Sequence, residues 1–446
     1  MVIPSFNFDT GICKAFATMS IGFRLQQEFK FLLASNATLW ALGLLLAMSS
    51  ISVVLGLQYV AEERKEIAEL LQFDAEERAY KRTLAVDFGG AAYDAFHAVW
   101  NEPSELAFAA VGQRDLNPTM MRIRALALEG QIYETDSINP ELALVGRFDY
   151  AFVTAYLLPL LIIFLFYDLV SSERENGRFN LLSVSSTSAG MLWLPRVLIR
   201  LLVLLSTLLV PLWLGMLVEG TGFSVFARAT GAVVFQACLW AAIALMIGSR
   251  SSLGSESIAA LCVTVWVTLT LAIPIAGKAY IEVSIPGVKG SDVSLVQREA
   301  VNDAWDLPKS VTMERFYASH PEWSDSPPLG EDFHWKWYYA FQQVGDEEAA
   351  DLAREYREAM LARDELTASV AWLSPAVAIQ RRLEELASTN LKASLKFEGQ
   401  VRQYHETIRR AYYPVLFRDI PFSDERLAQV YIPDFAESLG LNTEKP

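Results

Sequence analysis

A chain of 446 residues that is 52% hydrophobic and still 20% charged is composed as membrane spans alternating with water-soluble segments, not as one soluble globule. Its net charge of −15 argues against a nucleic-acid partner, because a phosphate backbone calls for a basic surface. Three cysteines, Cys13, Cys238 and Cys262, all lie outside the large polar stretches, which must therefore fold without disulfides.

The first sixteen residues, MVIPSFNFDTGICKAF, lack the basic and apolar regions of a secretory signal peptide. In 16–40, FATMSIGFRLQQEFKFLLASNATLW, apolar Phe16, Ile21, Leu25, Phe29 and Leu32 or Leu33 recur at helical spacing. Arg24, Gln27, Glu28 and Lys30 take the other side, so 1–36 reads as an N-terminus whose amphipathic helix lies in the membrane interface. Residues 37–57 form a first span, and the charged helix-formers of 61–84 continue it as a stalk. Ile67, Leu70, Leu71 and Phe73 of that stalk would face a partner helix.

Four further runs, 150–168, 197–217, 229–248 and 256–276, each approach the roughly 20 residues needed to cross a bilayer. After them, AYIEVSI (279–285) reads as a strand. A turn-rich, aromatic stretch follows to about 340, and then strongly helical sequence from 346 to 413. Within that helical part LSPAVAIQRRLEEL starts a helix, with Ser374 as N-cap and Pro375 at the first helical position.

Orientation follows from the short loops. The 169–196 loop carries Arg174, Arg178 and Arg196, and 249–255 carries Arg250, whereas 218–228 offers only Glu219 and the boundary residue Arg228. Basic short loops stay in the cytoplasm, which puts the N-terminus inside and two large regions, 58–149 and 277–446, outside. The acidity is concentrated in those regions. Residues 58–147 hold 9 basic and 16 acidic residues, and 277–446 hold 19 and 28.

Candidate chemistry is sparse. His97, His320, His334 and His405 are scattered through the outer regions without a paired spacing or companion cysteines, so no metal site is read from them. The aromatics of HPEWSDSPPLGEDFHWKWYYAF (320–341) read as the core of a small domain in preference to a ligand platform. No phosphate loop, nucleophile elbow or HExxH motif occurs, so the chain is expected to be non-catalytic and without a cofactor. There remains YDLVSSERENGRFNLLSVSS (167–186), an abruptly charged exit from the second span. Ser171 and Ser172 before Glu173 suit a helix start, and Leu181, Leu182 and Val184 give it an apolar edge for docking a partner.

That stretch resembles the D-x-x-x-x-E-R-E-x-G-T-x-x-L-L pattern that follows the second span of type-2 ABC exporter permeases. The matching residues are Asp168, Glu173, Arg174, Glu175, Gly177, Leu181 and Leu182, with Arg178 where the family usually has Thr. Residues 106–118, 138–161, 335–366 and 372–391 resemble one branch of that family, which carries large extracytoplasmic inserts. The resemblance implies a mostly α membrane protein with about five transmembrane helices in a type-2 (type V) ABC exporter arrangement. Two extracytoplasmic inserts, largely helical with some β, complete it. It further implies a permease subunit of the bacterial inner membrane, paired with a second permease copy or homologue and driven by cytoplasmic ABC ATPase subunits. The ATPase movement would enter through the 168–182 segment and through the interfacial helix with its Arg24, Glu28 and Lys30. Membrane lipid and an extracytoplasmic protein partner are expected as neighbours. Two rival readings are a membrane-anchored scaffold or sensor, and an ATP-driven complex doing mechanical work on an extracytoplasmic protein or lipoprotein. The family normally has six spans, and no run of membrane length follows Gly277.

Overall fold

The computed structural model describes residues 21–133, 148–179, 189–250, 253–287 and 289–440. Among these the chain is mostly α-helical, and five helices are long and apolar enough to cross a membrane. Helix α1 (Ile21–Leu33) is followed by Ser35, whose hydroxyl caps α2 (Asn36–Leu84) by accepting from the Thr38 amide. Helix α2 runs unbroken for 49 residues. At 1.5 Å per residue that is about 74 Å, more than twice the thickness of hydrocarbon, so its charged second half must leave the membrane as a stalk. On that stalk Ile67 is buried, while Leu70 and Leu71 are half-buried. Phe73 departs from expectation: it is exposed, and its ring is covered by the Arg122 guanidinium at 5.2 Å instead of a helix.

The stalk leads into α3 (Phe88–Asp94) and a two-stranded antiparallel ribbon, β1 (His97–Trp100) with β2 (Met120–Ile123), in which His97 faces Ile123. A short α4 (Glu129–Tyr133) follows. The second span comprises α5 (Tyr150–Phe152), a π turn at Val153–Leu157 and α6 (Leu158–Phe166), with α7 (Ser171–Glu175) beyond it. Helices α8 (Ala189–Val218) and α9 (Phe223–Gly248) are the next two spans. The fifth is α10 (Ser255–Val267), a π turn at Thr268–Ala272 and α11 (Ile273–Ser284). Each π turn stands directly before a proline near a helix start, Pro159 or Pro274. The widened turn gives room to the carbonyl that a proline ring would otherwise strike.

Two expectations fail here. The AYIEVSI stretch is helix, the end of α11, because Gly277 and Ile281 pack on another helix and the alternation of β-branched residues is overridden. The stretch expected to be rich in turns is largely α12 (Gly290–Asp306) and α13 (Lys309–Ser319). The helical part is α14 (Trp335–Ala371), α15 (Pro375–Leu386) and α16 (Leu391–Phe417), then the short α17 (Asp424–Gln429) and α18 (Phe435–Ser438). Ser374 caps α15 as expected, accepting from the Val377 amide.

The two large polar regions fold as one domain. Phe88, Val99 and Ile123 from the first share a core with Phe316, Tyr339 and Phe417 from the second. The Tyr339 hydroxyl donates to the Gly89 carbonyl at 2.9 Å, and a Cβ on Gly89 would collide with the Trp335 ring. Trp337, Tyr339 and Phe341 are buried, so the aromatic stretch is core. Arg402 of the second region pairs with Glu129 of the first at 2.6 Å, and deeper pairs brace each region internally, Arg409 with Asp346 and Arg114 with Glu63, at 2.7 Å each.

One helix of this domain leaves it. Helix α14 runs alongside α11 until Val370 lies against Gly277, and the turn after it exposes Trp372 and Leu373. Helix α15 then turns back, packing against α9 and both π turns. Its Ala376, Ile379, Leu383 and Leu386 are buried in the same core as the spans. From the first region, residues 106–110 enter that core too. Phe108 is fully buried between α2 and α8, where Gly56 and Gly215 leave room that any Cβ would fill.

Candidate functional site

The charged exit from the second span lies at the same end of the bundle as α1. Helix α7 is only five residues long. The Gly177 amide donates to the Arg174 carbonyl and the Arg178 amide to the Glu173 carbonyl, at 3.0 and 2.9 Å. Gly177 itself sits at φ +68°, a left-handed position that favours glycine. This pair of bonds closes α7 at its C-terminus, and helical backbone resumes at Phe179. Leu181 and Leu182 fall outside the described residues.

The side chains of α7 point to different neighbours. Glu173 is the centre of an ion-pair chain: Arg196 of α8 donates from Nη1 to Glu173 Oε1 at 3.0 Å and from Nε to Glu28 Oε1 at 2.9 Å. Arg178 approaches the other Glu173 oxygen at 3.1 Å and so joins the chain. Arg174 donates to the carbonyls of Ser249 and Arg250 at 2.9 Å each, just past the end of α9. A cation there completes the unpaired carbonyls of a helix C-terminus. Its guanidinium also lies 5.0 Å from the Phe179 ring. Glu175 accepts from the Ser255 amide at 2.7 Å and from the Ser255 hydroxyl at 2.9 Å, closing the N-terminus of α10.

Five helices are therefore tied at one point, α1, α7, α8, α9 and α10. Asp168 is half-buried, and its carbonyl accepts from the Ser172 amide at 3.0 Å as the chain enters α7. Arg24 lies within α1, and Lys30 is exposed in its last turn, a position that suits a cation at a helix C-terminus. Of the three residues expected on α1, Glu28 reaches the junction. Three partners were not read as part of this site from the sequence: Arg196, named there only as a loop cation, Ser255, and the Ser249–Arg250 carbonyls. Arg196 carried a signal, as one of the few cations bordering an apolar run. The carbonyls carried none, because every residue has one.

Among the described residues no three His, Cys, Asp or Glu side chains are placed to hold a metal ion. His405 is buried with Nε2 2.8 Å from the Leu126 carbonyl, and burial together with the Arg409 charge holds its pKa well below the usual range. Burial, with the Arg78 charge beside it, likewise lowers His97 to about 3. Both are neutral structural residues. Asp346 accepts from the Leu128 and Glu129 amides at 2.8 and 3.0 Å, so its burial beside Arg409 is fully hydrogen-bonded.

The family described as a domain of unknown function (DUF3526) matches residues 293–436. That match begins in α12, ends in α18 and includes α15, but not the α7 junction. No curated protein and no solved structure matches the chain.

Proposed function

We propose that the chain is the permease subunit of an ATP-driven ABC exporter in a bacterial inner membrane, coupled to separate cytoplasmic ATPase subunits and paired with a second permease. The observation that carries this reading is the α7 junction: Glu173, Arg174 and Glu175 of the D-x-x-x-x-E-R-E-x-G pattern tie α8, α9 and α10 to one short helix, and Arg196 links α1 to it through Glu28. A push on α7 is thereby shared among four helices without passing through a flexible loop. The basic short loops support a cytoplasmic placement of this end, where an ATPase would meet it. The chain has no phosphate loop of its own, so the energy must come from a partner. In this reading ATP binding displaces α7, Arg196 carries the displacement to α8, and the π turns of the second and fifth spans take up the bending.

A second reading is favoured by α2, whose unbroken 49 residues join the bundle to the polar domain. The same ATP-driven movement would then do mechanical work on an extracytoplasmic partner without translocating a cargo.

Purification from native membranes in mild detergent tests the first step: an ATPase subunit should accompany the chain, and its absence would end both readings. In the purified complex Glu173→Lys turns attraction to Arg196 and Arg178 into repulsion. The ATPase rate should then lose its dependence on the membrane subunit by about tenfold, a usual size for coupling between sites. An unchanged rate would remove Glu173 from transmission.

A further inference from the structure

A cleft of about 1160 Å³ lies between α9, the end of α14, and α15. Its floor is apolar, formed by Ala232, Phe235 and Leu239 of the fourth span and by Ala368, Ala371 and Ala378 of the two helices opposite. Phe235 and Trp372 are strongly exposed, Trp372 at 92%, on surfaces that belong to the level of the spans. A cleft with a spanning helix for one wall is open to acyl chains.

Its charge is the reverse of its surroundings. Residues 277–446 hold 19 basic and 28 acidic residues, yet five cations line this cleft against three carboxylates. Two of the cations are neutralised in place: Arg381 pairs with Asp364 at 2.5 Å, and Arg382 with Glu385 at 2.7 Å. Arg228, Arg363 and Lys392 have no carboxylate partner among the described residues. Arg228 donates only to the Ser224 carbonyl at 3.1 Å, and Arg363 to that of Ile285 at 2.9 Å. Glu384 is the one carboxylate not paired with a cation, and it accepts from Gln380 at 3.1 Å.

A second, independent feature lies deeper. Gln236 lines the cleft two turns below Arg228, about 12 Å along the helix. It is 2% exposed, and its amide nitrogen has no hydrogen-bond partner. A polar side chain held in that wall marks how far the apolar slot runs beneath its cationic rim.

We propose that this cleft binds an anionic phospholipid from the leaflet on the polar-domain side. The phosphate lies among Arg228, Arg363 and Lys392, and the acyl chains run along Phe235 and Leu239. A cationic rim over an apolar slot fits an amphiphile carrying one phosphate, and lipid is the neighbour such a wall always has. The inference does not rest on the permease reading, since a lipid held here would be held whether or not the chain transports anything.

The test uses the full chain in nanodiscs containing trace phosphatidylglycerol or phosphatidylcholine with a photoreactive acyl chain. Labelled peptides are then mapped by mass spectrometry, without any ATPase present. The anionic lipid should label residues 229–240 and 368–379 preferentially. Arg228→Gln and Lys392→Gln, both at exposed positions, should each reduce that preference about fivefold while leaving the melting temperature unchanged. Gln236→Leu leaves the cationic rim intact and should leave the anionic preference unchanged; a lost preference in that variant would overturn the placement of the phosphate. Equal labelling by the two lipids would overturn the proposal. So would cross-links running to a second copy of the chain, which would make the cleft a subunit interface. Full displacement by inorganic phosphate would also overturn it, since the site would then recognise the free anion.

Discussion

Glu63 and Arg114 are joined by two hydrogen bonds, at 2.7 and 3.2 Å, and both side chains are nearly inaccessible. Removing one partner leaves a buried charge uncompensated, so Glu63→Ala should destabilise the protein by about 3–5 kcal/mol, while the further Arg114→Ala recovers most of the loss. Unfolding in detergent, followed in the two single variants and the double, measures both effects. The buried histidines make a separate prediction with a definite sign. Their folded pKa values are depressed, so the stability they permit is complete above the unfolded value near 6.5 and is lost as the pH falls below it. Each contributes a slope of up to about 1.4 kcal/mol per pH unit in that range. In His405→Gln, whose amide can still donate to the Leu126 carbonyl, the fall in melting temperature between neutral pH and pH 5 should be shallower than in the native chain. An identical fall would show that His405 titrates freely. None of these pairings was legible in the sequence. Glu63 and Arg114 are 51 positions apart, and nothing in either local pattern names the other.

At the scale of elements, local chemistry was legible wherever it decided the outcome. Ser374 and Pro375 announce the start of α15, and the charged continuation of the first span announces the stalk. The charged loop was recognised as a helix start, and the backbone bonds of Gly177 and Arg178 close that helix, α7, at its C-terminus. AYIEVSI misled for the opposite reason: its alternation is real, and contact between Gly277 and Val370 outweighs it. The cap on α15 has a measurable consequence, because Ser374 is buried and its hydroxyl satisfies the Val377 amide. Ser374→Ala should cost about 1 kcal/mol, seen as roughly fivefold faster amide exchange through the first turn of α15 with α14 unaffected. Exchange that accelerates equally in both helices would mean that α15 has no separate opening.

At the scale of the whole molecule, hydropathy placed the five spans, but it could not show that the two polar regions are one body. Tyr339 and Gly89, 250 positions apart, meet in the core, and no periodicity records such a pairing. It follows that residues 289–440 should not fold when produced alone. They would lack Phe88, Val99 and Ile123, which share one core with Phe316 and Tyr339. Circular dichroism of that fragment should show helix without a cooperative melt, whereas a sharp transition would mean that the second region carries a sufficient core. Helix α2 links this body to the bundle, and its length has a geometric consequence of its own. A rod of about 74 Å pivoting at its foot, beside α1, acts as a lever, and a tilt of about 5° there sweeps its tip through about 6 Å. Displacements too small to disturb the ion pairs around α7 can therefore arrive at the far domain as shifts larger than a helical turn.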